Sequence, residues 1–121
     1  MAKYPITPDQ GAVMELSRMD RRLVDMAMVG QDPSEGCVTY VIMSEVTSYP
    51  GSQRFATHQM MDWTPVDPGR GCVLAYGHYM MTYGEAVADM SNRLGELLRN
   101  YDWLDPYTGR PIRKGRRGYR C

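Results

Sequence analysis

The first half of the chain changes its hydrophobic period twice. Thr7-Pro8-Asp9-Gln10 has the chemistry of a helix start: Thr7 is a good N-cap, Pro8 suits the first helical position, and Gln10 can close a capping box. Ala12, Leu16, Met19 and Leu23 follow at steps of four, three and four, which aligns one apolar stripe and predicts a helix from Pro8 to Arg22. Leu23 to Val29 fits either a helical extension or a short strand of a meander, and the strand is the better fit. Gly30 to Gly36 carries turn residues throughout.

From Cys37 the period becomes two. Val38, Tyr40 and Ile42 alternate with Thr39, Val41 and Met43, which predicts a strand from Cys37 to Val46. After a loop containing Pro50-Gly51, Arg54 to Trp63 alternates again and should pair with the first run as an antiparallel hairpin. The turn-rich stretch Thr64 to Gly71 leads to a further strand, Cys72 to Met81, interrupted at Gly77. A glycine inside a strand marks a bulge or a close approach by another backbone or a ligand.

Thr82-Tyr83-Gly84-Glu85 is a second capping box. It launches a helix to Asn100 whose apolar face is read as Val87, Met90, Leu94, Leu97, Leu98 and Tyr101, with an Asp89–Arg93 pair on its flank and Asn92, Glu96 and Arg99 on its polar side. Together the elements predict an α+β fold: an antiparallel β-sheet of three to five strands packed against one long C-terminal helix and a shorter N-terminal helix. Residues 1–107 form the expected single domain and 108–121 a basic C-terminal tail. Several strands are apolar on both faces, so the sheet's second face needs a cover, and a homo-oligomer is expected to supply it.

Composition adds an asymmetry that the total conceals. The 121 residues carry fourteen basic and fourteen acidic groups, but Arg110, Arg113, Lys114, Arg116, Arg117 and Arg120 fall in the last fourteen positions, where there is no acid. An acidic body of net −6 therefore ends in a +6 segment. Such a segment can meet a polyanion, remain solvated, or dock on an acidic neighbouring subunit. Twelve of the fourteen basic residues are Arg, whose planar fork grips phosphate and stacks on bases. No apolar run approaches the roughly 18 residues of a membrane-spanning helix, and the first residues lack a secretory signal's apolar stretch, so a cytosolic protein without membrane partners is expected.

Candidate chemistry is narrow. Cys37, Cys72 and Cys121 are odd in number, with no C-x-x-C pair, which argues against a disulfide framework or a zinc site. His58 and His78 stand alone, there is no Gly-x-Ser-x-Gly elbow and no phosphate-binding Gly-x-x-x-x-Gly-Lys motif, so no metal, cofactor or catalytic residue is assigned. Binding chemistry remains. Gly77-His78-Tyr79-Met80-Met81-Thr82-Tyr83 places two aromatics and a His at a strand-to-helix corner, where free amides can receive an anion and rings can stack a base. The competing reading is structural, with Tyr79 or Tyr83 closing the core and His78 bonding a carbonyl.

The length, the strand-rich first two thirds, the Gly77-His78-Tyr79 strand running into the Thr82 to Asn100 helix, and Arg110 with Arg113 in a basic C-terminal segment resemble the phage anti-Thoeris sponge proteins. That resemblance implies a non-enzymatic protein that sequesters cyclic ADP-ribose-type immune signals, an oligomer built from dimers with ligand pockets between subunits, and room for a separate cyclic oligonucleotide site. It also implies an aromatic near Tyr79 or Tyr83 for the adenine, Asn92 for ribose or base, and Arg54, Arg110 and Arg113 for phosphates. The full candidate ligand set is Arg54, His78, Tyr79, Tyr83, Asn92, Arg110, Arg113, Lys114, Arg116 and Arg117. The alternative is a small RNA- or DNA-binding protein of a mobile element that uses its Arg-rich tail; a protein acting only through protein contacts is a third class.

Overall fold

Six elements in the order α1 (Pro8–Ser17), β1 (Arg21–Gln31), β2 (Val38–Val46), β3 (Phe55–Asp62), β4 (Cys72–Met81) and α2 (Tyr83–Asn100) make an α+β fold. The structure, a computed structural model, describes residues 7–112. The four strands form one antiparallel sheet in the order β1-β2-β3-β4, each strand pairing with the next in sequence. Both helices begin at the capping boxes: Thr7 accepts from the Gln10 N–H, and Thr82 from the Glu85 N–H, while each Gln or Glu side chain returns the bond.

Helix α1 is shorter than its apolar stripe suggests. It ends at Ser17, because Asp20 adopts a left-handed backbone with φ 59° and its carboxylate accepts the hydroxyls of Thr47 and Ser48 at 2.5 and 2.6 Å. The expected extension to Arg22 is therefore corrected: Arg21 and Arg22 open β1, and the ambiguous Leu23 to Val29 stretch is a strand.

Alternation along β2 sorts the core into two layers. Val38, Tyr40 and Ile42 meet Met60 and pack on Ala12 and Leu16 of α1. Val41 and Met43 meet Val29 and pack on Ala86 and Met90 of α2, with Trp103 beside them. β2 is buried on both faces for most of its length, which explains its near-continuous apolar sequence. The expectation of an uncovered second face is corrected, since each face has its own helix and the chain itself provides the cover. The reason given for a homo-oligomer falls with it.

Of the α2 face read in the sequence, Met90, Leu94, Leu97 and Leu98 pack into the layer that α2 covers, and the correction is confined to its edges. Ala86 and Met90 are its buried positions, whereas Val87 and Tyr101 are 42% and 58% exposed. After α2 the chain doubles back along β1. Gln31 and Leu104 exchange both backbone hydrogen bonds at 2.8 and 2.9 Å, and the Ile112 N–H donates to the Trp103 carbonyl at 2.8 Å. This return runs to Ile112, past the expected start of a tail at 108, and it seats Trp103 against Gly30. A Cβ at Gly30 would stand 2.7 Å from the Trp103 Cβ, so the approach requires glycine.

Candidate functional site

Two irregularities in β4 set the positions of its side chains. Between the pairs Gln59↔Ala75 and Thr57↔His78, and again between Thr57↔His78 and Phe55↔Met81, β4 spends one residue more than β3. Tyr76 and Met80 sit at these bulges with φ of 54° and 61°. Bulges re-aim neighbouring side chains and blunt an edge strand. Gly77 has the expected bulge and a close approach as well, because a Cβ there would meet the Tyr79 ring at 2.5 Å.

The first bulge is tied to α2. Arg93 donates to the Tyr76 carbonyl and pairs with Asp89 one turn earlier, Nε to Oδ2 3.2 Å. Asp89 also accepts from the Thr57 hydroxyl at 2.5 Å and lies 2.9 Å from His78 Nδ1. Burial pushes the Asp89 carboxyl upward, but the bonds from Thr57, His78 and Arg93 outweigh it and hold the group below its ordinary value. The predicted Asp89–Arg93 pair thus exists, and it is a half-buried junction between helix and sheet.

Beyond this junction, on the same face of the sheet, lies a cavity of about 600 Å³. Aromatic rings dominate it: Trp63 follows β3, Tyr76 comes from the β4 bulge, and Tyr101 and Trp103 follow α2. Thr39, Gln59 and Met61 are contributed by the central strands, and Leu97 by α2. Trp103 is fixed by its indole N–H, which donates to the Leu97 carbonyl at 2.8 Å. Among the described residues the Gln59 amide nitrogen has only a 3.7 Å contact to the Met61 sulfur, which leaves its amide able to bond a ligand.

The charge of the cavity is one-sided. Asp32 and Glu35, from the turn between β1 and β2, line it, and among the described residues no Lys, Arg or His does. The Asp32 carboxylate accepts the Glu35 and Ser34 N–H groups and the Ser34 hydroxyl at 2.8 to 3.0 Å, and these bonds, the Glu35 N–H foremost, hold it below the usual carboxylate range. Burial pushes the nearby Cys37 thiol up, and the fields of Asp32 and Glu35 add to this. Cys37 is thus held toward its neutral thiol form, in negative surroundings. Arg70 places its guanidinium 3.7 Å from the Trp63 ring centroid.

The opposite face holds a second polar group. His58, 2% exposed, has Nε2 2.7 Å from the Tyr79 hydroxyl, and its Nδ1 has no partner among the described residues. Arg21 lies over the Tyr79 ring at 5.2 Å and donates to Ser44. Beneath these two side chains Ser44 and Ala56 are fully buried, so Arg21 and Tyr79 close the part of this face that lies beyond the short α1.

The residues singled out in the sequence are dispersed. Arg54 pairs with Glu45 at 2.9 Å and donates to the Val46 carbonyl; His78 is held by Asp89, Tyr79 by His58, and Tyr83 packs edge-on against Phe55 at 5.4 Å. Asn92 and Arg110 are exposed. None of these six lines the cavity. Arg113, Lys114, Arg116 and Arg117 lie outside the described residues. At the strand-to-helix corner offered to an anion, the chain's own Glu85 carboxylate accepts the Thr82 N–H and the Thr82 hydroxyl accepts the Glu85 N–H. The cavity residues carried one signal in the sequence, aromatics at element ends: Trp63 after a strand, Tyr101 and Trp103 after a helix, Tyr76 before the strand glycine.

Comparison with protein-family models, with curated proteins and with solved structures finds no match for this chain. Among the described residues, no helix is long and apolar enough to cross a membrane.

Proposed function

We propose that the protein is a non-enzymatic binder of a nucleotide-derived small molecule, which places its base in the aromatic cavity. The observation that carries this reading is the meeting of two Trp and two Tyr with the Gln59 amide around about 600 Å³, within the roughly 300–1,000 Å³ typical of small-ligand sites. Aromatic faces stack a base, an amide reads its edge, and a carboxylate such as Glu35 accepts ribose hydroxyls. In the form suggested by the sponge resemblance, the ligand is a cyclic ADP-ribose-type signal and the outcome is sequestration. Among the described residues the lining has no cation for phosphates, so these groups would face outward, toward Arg70 on Trp63.

Tryptophan fluorescence and calorimetry with adenosine, AMP and cyclic ADP-ribose test this. Saturable one-site binding is expected, weakened about tenfold or more by Trp63→Ala or Tyr76→Ala, since stacking contributes about 1–3 kcal/mol per base. Mass spectrometry should recover the ligand unchanged. Absence of saturable binding by all three compounds, or formation of a product, overturns the proposal.

A further inference from the structure

Resting on the cavity reading just given, we propose that the site selects a ring that carries positive charge: a purine or pyridine alkylated on a ring nitrogen. Among the described residues the cavity's ionic lining is two carboxylates, Asp32 and Glu35, and the nearest cation named, Arg70, stands on the Trp63 ring. Asp32 is fixed as a carboxylate acceptor by its three donors, and Glu35 is exposed, with no side-chain partner among the described residues. A ring placed between these two side chains meets negative charge.

The aromatic walls favour the same sign. A ring face is the negative end of an aromatic quadrupole, so a flat cation gains electrostatic attraction where a neutral base gains only stacking. Trp63 already receives a planar cation from its own chain, the Arg70 guanidinium at 3.7 Å. Two contributions therefore act together on a ring cation, attraction to the faces of Trp63, Tyr76, Tyr101 or Trp103 and attraction to Asp32 and Glu35. A neutral ring of equal shape receives neither. An alkylated ring nitrogen also spreads its charge over the whole plane, which lets one ligand stack and meet a carboxylate at once.

The full-length protein is titrated with 1-methyladenosine, whose alkylated ring is cationic at neutral pH, and with adenosine, its neutral counterpart, following tryptophan fluorescence. The expected result is binding of 1-methyladenosine about tenfold or more tightly. Glu35→Gln, which keeps the side chain's shape and removes its charge, should shrink the ratio of the two affinities severalfold, and added salt should act in the same direction. Equal binding of the two nucleosides, or tighter binding of adenosine, overturns the charge selection and leaves the cavity reading standing. If neither compound binds, and adenosine, AMP and cyclic ADP-ribose fail as well, the cavity reading itself falls.

Discussion

The Tyr79 hydroxyl lies 2.7 Å from Nε2 of His58, an imidazole that is otherwise sealed inside the sheet. Burial, followed by the fields of Arg21, Arg93 and His78, lowers the His58 pKa from 6.5 to about 4. The folded protein thus keeps this ring neutral where the unfolded chain would protonate it. Between these two values the unfolded state binds more protons, so the contribution of His58 to stability is lost as pH falls from about 6.5 toward about 4 and is constant below. Denaturant unfolding across that window should show a midpoint that drops with acid. His58→Gln, which has no proton to gain, should flatten the upper part of the slope; an unchanged slope would show that His58 titrates normally.

Tyr79→Phe removes the one partner that this buried ring has among the described residues, leaving both imidazole nitrogens unsatisfied there, and should cost about 1–3 kcal/mol. Gly77→Ala reaches the same bond by another route, since its Cβ would collide with Tyr79 Cε2 and Oη at 2.5 Å and push the hydroxyl from His58. The two changes should be less than additive in a double-mutant cycle of unfolding free energies. Strict additivity would mean that the ring stays on His58 when Gly77 is replaced.

What could be read in advance was what neighbouring residues decide. Thr7 with Gln10 and Thr82 with Glu85 fix two helix starts within four residues, and the alternation of Val38 to Met43 fixes a central strand because both faces are buried. What distant residues decide was hidden. Helix α1 stops at Ser17 because Asp20 bonds Thr47 and Ser48 across the sheet's end, and no local signal announces that pairing. The cavity was hidden for the same reason: Trp63, Tyr76 and Trp103 come from three elements and converge only after β4 spends an extra residue at Tyr76. Gly77 did mark the place, though its ring neighbour is Tyr79 and the cavity residue is Tyr76. The Arg-rich segment drew attention through composition, yet most of it falls after Ile112, outside the described residues.

Gly30→Ala tests how closely Trp103 is seated. The added methyl would stand 2.7 Å from the Trp103 Cβ and 3.1 Å from Ile112 Cδ1, so the return after α2 must shift, at a cost of about 1–3 kcal/mol. Because Trp103 also lines the cavity, the variant should show altered tryptophan emission and weaker ligand binding alongside a lower Tm. A variant with wild-type stability and emission would mean that this segment is not held against β1.

Arg93 is a positioning residue for the cavity, acting through Tyr76. Its side chain is largely buried, it donates to the Tyr76 carbonyl, and its carboxylate partner Asp89 keeps the Thr57 and His78 contacts when Arg93 is lost. Arg93→Met should therefore leave a folded protein, destabilised by about 1–3 kcal/mol because hydrogen bonds to charged groups are among the stronger ones. The informative measurement is ligand affinity in a cycle with Tyr76→Ala. If Arg93 serves the site by holding the bulge, Arg93→Met weakens binding in the wild-type background and has little further effect once the Tyr76 ring is gone, while its cost in unfolding free energy persists in both. A general loosening of the helix against the sheet would instead weaken binding equally in the two backgrounds, because Leu97, Tyr101 and Trp103 would move whether or not Tyr76 is present.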